Sequence, residues 1–95
     1  MNKMMLEVND IYIKENQTYK MFSYVCDEYS HPSFDKKYLI NKGRVIVRFN
    51  KPIDLHVGCR YILSDLEFNP KFNNYLYSDK SRHMEIMRND LMNYM

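Results

Sequence analysis

Apolar and polar residues alternate along most of this chain, and the alternation predicts strands. Leu6 and Val8 occupy one parity, then Ile11 and Ile13 take the opposite one. Side chains of a strand repeat every two residues, so the change of parity predicts a turn or bulge near Asn9-Asp10. The polar stretch Lys14-Glu15-Asn16-Gln17 separates that segment from Thr18–Cys26, which is rich in Tyr, Phe and Val. Ile11–Met21 therefore reads as a β-hairpin with a short polar turn. Asp27–Lys37, with Ser30-His31-Pro32-Ser33 inside it, reads as a loop.

The clearest strand is Gly43–Phe49. Val45, Val47 and Phe49 face one way, and Arg44, Ile46 and Arg48 the other. Asn50-Lys51-Pro52 interrupts it. A further strand is expected from about Cys59 to Phe68, with Cys59, Tyr61 and Leu63 sharing a face, and Asn69-Pro70 ends it because proline cannot donate to a ladder. Lys71–Ser78 is open between an irregular loop and a short strand. Ser81 then has the look of an N-cap, and Met84, Met87, Leu91 and Tyr94 follow at helical spacing, so Arg82–Met95 is expected to form an amphipathic helix. The expected architecture is α+β: a small antiparallel sheet or open barrel-like sheet of about four or five strands carrying one C-terminal helix.

Composition bounds this picture. The 95 residues leave room for a single domain spanning 1–95, and the 45% hydrophobic content supplies a core without disulfide staples. Charged residues are 27% and nearly balanced, and aromatics reach 15%, which excludes a disordered chain. Nothing near the start reads as a signal peptide and no apolar run is long enough to span a membrane, so a cytoplasmic protein with reduced thiols is expected. Alanine and tryptophan are absent while Asn, Lys, Tyr, Ile and Met abound. That bias points to an AT-rich coding genome, of bacterial or phage type.

Candidate chemistry is sparse. Cys26 and His31 have four residues between them, and His56 and Cys59 have two. Four such nitrogen and sulfur ligands suit tetrahedral zinc, although the central gap of twenty-four residues holds a whole strand. A zinc-stabilised domain is one alternative, set against two apolar cysteines and two surface histidines. The expectation is that no cofactor is needed. A thiolate–imidazole pair is conceivable from the same residues, but no cysteine-hydrolase signature surrounds either thiol, and two glycines cannot build a phosphate-cradling loop. The chain is expected not to be an enzyme.

Binding is left. Arg44 and Arg48 flank Ile46 on one strand face, and Arg60 and Ile62 occupy a similar face of another. The segment Lys71–Tyr77 interleaves aromatic rings with a cation and amides. Basic side chains for the backbone and rings for the bases are the means by which single-strand binders work. The run Gly43–Leu63 resembles the rhythm of OB-like barrels. That resemblance implies a small β-barrel binding single-stranded nucleic acid.

Interface cores, however, favour Tyr, Phe, Met and Arg, and this chain has nine Tyr and eight Met. Protein recognition is therefore the leading expectation. In size, in lack of a catalytic signature and in its aromatic and Met surplus, the chain is similar in kind to small phage-encoded inhibitors of host or defence machinery, anti-CRISPR proteins among them. The expected partner is a larger protein or nucleoprotein complex. The candidate contacts are Arg44, Arg48, Arg60, Phe72, Tyr75 and Tyr77, with Met92 and Tyr94 at the helix tip as a second surface and a route to a homodimer.

Overall fold

The computed structural model describes residues 3–30 and 40–86. Their architecture is all-β. The strands are β1 (Lys3–Glu15), β2 (Lys20–Tyr29), β3 (Asn41–Phe49), β4 (Arg60–Ser64), β5 (Glu67–Asn69), β6 (Asn74–Leu76) and β7 (Arg82–Glu85). They form one mixed sheet in the order β5-β6-β3-β2-β1-β4-β7. All pairings are antiparallel except β3 with β6.

The order forces the sheet to curl. β4 lies near one margin and β5 at the other, yet only Asp65 and Leu66 separate them in sequence. Two residues reach only about 7 Å, so the margins must come together. The two strands run in the same direction and act as one strand with a kink, its first half paired to β1 and its second to β6. Asp65 absorbs the kink at φ 58°, in the left-handed region that short polar side chains tolerate. The result is a strongly curled half-barrel.

Its inner face is the core. Leu6, Val8, Tyr24, Cys26, Val47, Tyr61 and Leu63 are all at most 2% exposed, and Leu55 plugs one end from the β3–β4 connection. That connection is anchored through buried tyrosine hydroxyls. The Tyr24 hydroxyl accepts from Ile53 N–H (3.0 Å), and the Tyr61 hydroxyl accepts from His56 N–H (2.8 Å). Each ring thus fills the core while its polar tip satisfies loop backbone. An aromatic chain, Phe49–Tyr77–His83–Tyr61, links the two margins with centroid spacings of 5.4, 5.8 and 6.1 Å.

Several expectations hold. The parity change in β1 is a β-bulge: Val8 faces Cys26 and Asp10 faces Val25, leaving Asn9 without an opposite number on β2. The hairpin turns at Asn16, whose side-chain oxygen accepts from Thr18 N–H and Tyr19 N–H (2.8 and 2.9 Å). β3 has the predicted faces, with Val47 fully buried. The strand expected over Cys59–Phe68 exists, broken at Asp65.

The α+β expectation is overturned. There are seven strands rather than four or five, the sheet is mixed rather than antiparallel, and no helix occurs among the described residues. Consequently none there is long and apolar enough to cross a membrane. Arg82–Glu85, expected to open the helix, pairs with β4 instead. The reason lies in the backbone: β4 has an edge whose N–H and C=O groups need partners, and β7 supplies them. Ser81 is not a helix cap. Its buried hydroxyl donates to Asp65 O (2.8 Å) and accepts from Ser78 N–H (2.9 Å), pinning the chain before β7 to the kink. Met84 stands outward, 52% exposed, opposite Ile62. The rest of the expected helix, with Met92 and Tyr94, lies outside the described residues. Asp27–Tyr29, expected in a loop, completes β2, and His31 to Lys37 also lie outside the described residues.

Candidate functional site

The outer face of the half-barrel carries the side chains that the core excludes. Register places them in rows. One row crosses five strands as Tyr12–Ser23–Arg48–Leu76–Glu67. The next runs Asp10–Val25–Ile46, and a third Arg60–Glu7–Asp27–Arg44. Arg44, Arg48 and Arg60 therefore share a face as expected, but β3 and β4 do not pair: β2 and β1 stand between them.

The rows differ in electrostatics. In the third, basic ends enclose two acids. Arg60 Nε donates to Glu7 Oε1 at 2.8 Å, and its guanidinium lies 5.6 Å from the Tyr29 ring centroid. Arg44 stands opposite Asp27, whose carboxylate accepts from Asn9 Nδ2 at 2.8 Å. Charge in this row is compensated internally, so it offers little net attraction to an anion.

The first row is different. Arg48 makes no ion pair with a described residue, and its guanidinium lies 5.6 Å from the centroid of Phe72. Lys71 flanks the same ring at 5.4 Å. Phe72 is 56% exposed and Tyr12 is 61% exposed. Arg48 Nε is buried without a hydrogen-bond partner among the described residues, at a cost of roughly 1–3 kcal/mol for such a donor. The β5–β6 turn puts Phe72 there, with Asn73 at φ 50° in the left-handed region and Asn69 Oδ1 accepting from Lys71 N–H at 3.1 Å. Beside Leu76 the surface falls into an open depression of about 470 Å³, lined in part by Met21, Phe49, Lys51 and Asp79.

The remaining candidates have other places. Tyr77 is buried at 9% exposure, with its hydroxyl 2.8 Å from His83 Nδ1, and belongs to the aromatic chain rather than to the surface. Tyr75 is half-buried on the inner face, packed on Phe68 at 5.2 Å. Sequence reasoning missed Tyr12. The parity change in β1 was the available signal, since it turns Tyr12 to the same face as Arg48.

For the zinc set the geometry is unfavourable. The Cys26 side chain is fully buried and its thiol contacts Tyr24 O at 3.5 Å. His56 is exposed on the β3–β4 loop beside Asp54, and His31 lies outside the described residues. Among the described residues no group of three or more His, Cys, Asp or Glu could hold a metal. Burial, with some help from the Asp27 charge, pushes the Cys26 thiol up to about 12. Burial and then Glu85 push Cys59 upward as well. Both thiols stay protonated at neutral pH, whereas a nucleophilic cysteine is a thiolate.

What the outer face can do is present rings for stacking and cations for anionic oxygens. Compared with known proteins, the chain matches no family model, no curated protein and no solved structure.

Proposed function

We propose that this chain is a non-enzymatic binding module that takes single-stranded nucleic acid along the outer face of β1, β2, β3 and β6. The observation that carries the reading is the Arg48–Phe72 stack beside Lys71, in the same cross-strand row as exposed Tyr12. Exposed rings stack on bases without regard to sequence, and nearby cations neutralise phosphates.

Connectivity supports the reading. With β4 and β5 counted as one kinked strand, the circuit runs β1-β2-β3-β6-β5/β4 and back to β1. That is the strand order of five-stranded OB-type barrels, which bind oligonucleotides on the sheet face between two flanking loops. Here the β1–β2 turn and the β5–β6 turn occupy those flanking positions. A shared strand order is an analogy of architecture, and the site itself must carry the chemistry.

The test is fluorescence-anisotropy titration of a labelled single-stranded oligonucleotide at several salt concentrations. The wild type should bind with an affinity that falls linearly in log–log form with salt. Phe72→Ala should weaken binding by about 1–3 kcal/mol, the usual worth of one stacked base. Arg48→Ala should weaken it and reduce the salt slope by about one. Absence of binding at low salt, with the fold intact, would refute the proposal.

A second reading, an inhibitor or modulator docking on a larger protein, is favoured by one separate observation. Val57, Phe68 and Met84 are large apolar side chains more than half exposed. A salt-resistant complex with one stoichiometric protein, insensitive to nuclease, would select this reading over the first.

A further inference from the structure

β1 is paired with β2 along its whole length but with β4 only over Lys3–Glu7, extended by the Val8 N–H to Cys59 O and Gly58 N–H to Val8 O bonds (3.0 and 2.8 Å). From Asp10 to Glu15 its other edge has no strand beside it among the described residues. The hairpin fixes which main-chain groups point that way. Asn16 N–H donates to Tyr19 O at 2.9 Å, which closes the turn. Antiparallel alternation then directs Lys14 and Tyr12 towards β2, and Ile11, Ile13 and Glu15 outward. The Ile11 N–H agrees: it finds a makeshift acceptor in its neighbour's side chain, Asp10 Oδ1 at 2.8 Å. Edges of this kind are templates for another strand.

We propose that this edge pairs with the same edge of a second copy, antiparallel about a twofold axis at Tyr12. The sequence D-I-Y-I-K reads as its own complement in that register. Tyr12 meets Tyr12, Ile11 meets Ile13, and Asp10 meets Lys14, each pair on one face of the joined sheet. The two Ile11–Ile13 pairs exchange the outward N–H and C=O groups, and the Asp10 carboxylate turns from its own backbone to the Lys14 ammonium of the other copy. Shifting the register by one residue would set Asp10 against Glu15, like charges that disfavour it. Tyr12 and Ile13 are 61% and 56% exposed, and pairing covers both. An isologous contact of this kind closes as a dimer and leaves no further edge of β1 to propagate.

This inference does not rest on the nucleic-acid reading: its main-chain bonds lie at the strand's edge, although the Tyr12 side chain is common to the dimer contact and the outer-face row. It is tested by sedimentation velocity on the full chain over a wide concentration range. Wild type is expected to dimerise with rising concentration. Lys14→Glu and Asp10→Lys should each raise the dimer Kd by roughly tenfold or more, because each converts both symmetric attractions into repulsions. The double variant D10K/K14E should restore dimerisation. Circular dichroism would confirm that all three variants keep the β-fold. A monomer at every concentration, including one whose edge is capped by its own chain, would overturn the proposal. So would a dimer whose Kd ignores both single reversals.

Discussion

Cys26 shows how one side chain can be read two ways. In sequence it is a possible ligand or nucleophile; in the fold it is a small apolar plug opposite Val8 on the inner face. Its thiol is held protonated, up to about 12 against an ordinary value of 9.0. The folded state therefore retains a proton that the unfolded chain loses once the pH passes 9.0. This contribution to stability is complete below that point and declines as the pH rises towards 12. Urea denaturation at stepped alkaline pH should show the loss, and Cys26→Ala should flatten it. Thiol reagents at neutral pH should leave Cys26 unmodified in the native protein and label it rapidly in urea.

The entry to the short edge strand β7 is fixed by one buried hydroxyl. β7 has four residues, and the chain entering it is held by the Ser81 hydroxyl, which is 1% exposed. Ser81→Ala would leave Asp65 O and Ser78 N–H without that partner. The expected cost is about 1–3 kcal/mol, read as a lower urea midpoint with little change in slope. The same serine shows why β7 was not legible in the sequence. A serine ahead of Met84, Met87 and Leu91 satisfies a helix template, and nothing local records that its hydroxyl will bond to a carbonyl sixteen residues earlier. β1 and β3 were legible because their alternation is long and half-buried, which is the pattern that periodicity detects. β6 stayed open between loop and strand, because its parallel partner β3 lies far away in sequence, and Tyr75 and the following Tyr77 look like surface aromatics until that pairing turns them inward.

At the scale of the molecule, the site was legible in kind but not in arrangement. Parity alone puts Arg44 and Arg48 on one face of β3, but the expected sharing of that face by Arg60 assumed that the two strands pair, and it arises instead through β1 and β2. The three arginines differ in worth because β2 and β1 insert Asp27 and Glu7 between two of them, and only topology reveals an insertion of that sort. The same topology gives β1 two contacts. Tyr12 and Asp10 face outward in the cross-strand rows, while Ile11 and Ile13 present main chain to the edge. A second copy on the edge would share Tyr12 with a nucleic acid on the face and leave the outer faces of β2, β3 and β6 to the latter. If both hold, the dimer's two Arg48–Phe72 stacks would lie on one continuous sheet surface.

The kink at Asp65 also has a consequence for a chain being synthesised. β1, β2 and β3 can pair in sequence order as soon as they emerge, each with the strand just before it. β1's second neighbour, β4, and β3's second neighbour, β6, do not yet exist at that stage. Until the kinked strand and β6 leave the ribosome, the nascent chain is an open meander with its apolar inner face uncovered, because the segments that shut it all follow β3 in sequence. Dependence on such distant pairings predicts slow refolding, in the millisecond-to-second range of β-barrels, which stopped-flow fluorescence of the tyrosines would measure. A truncation lacking β6 and β7 would be expected to bind chaperones and aggregate rather than settle into a smaller sheet.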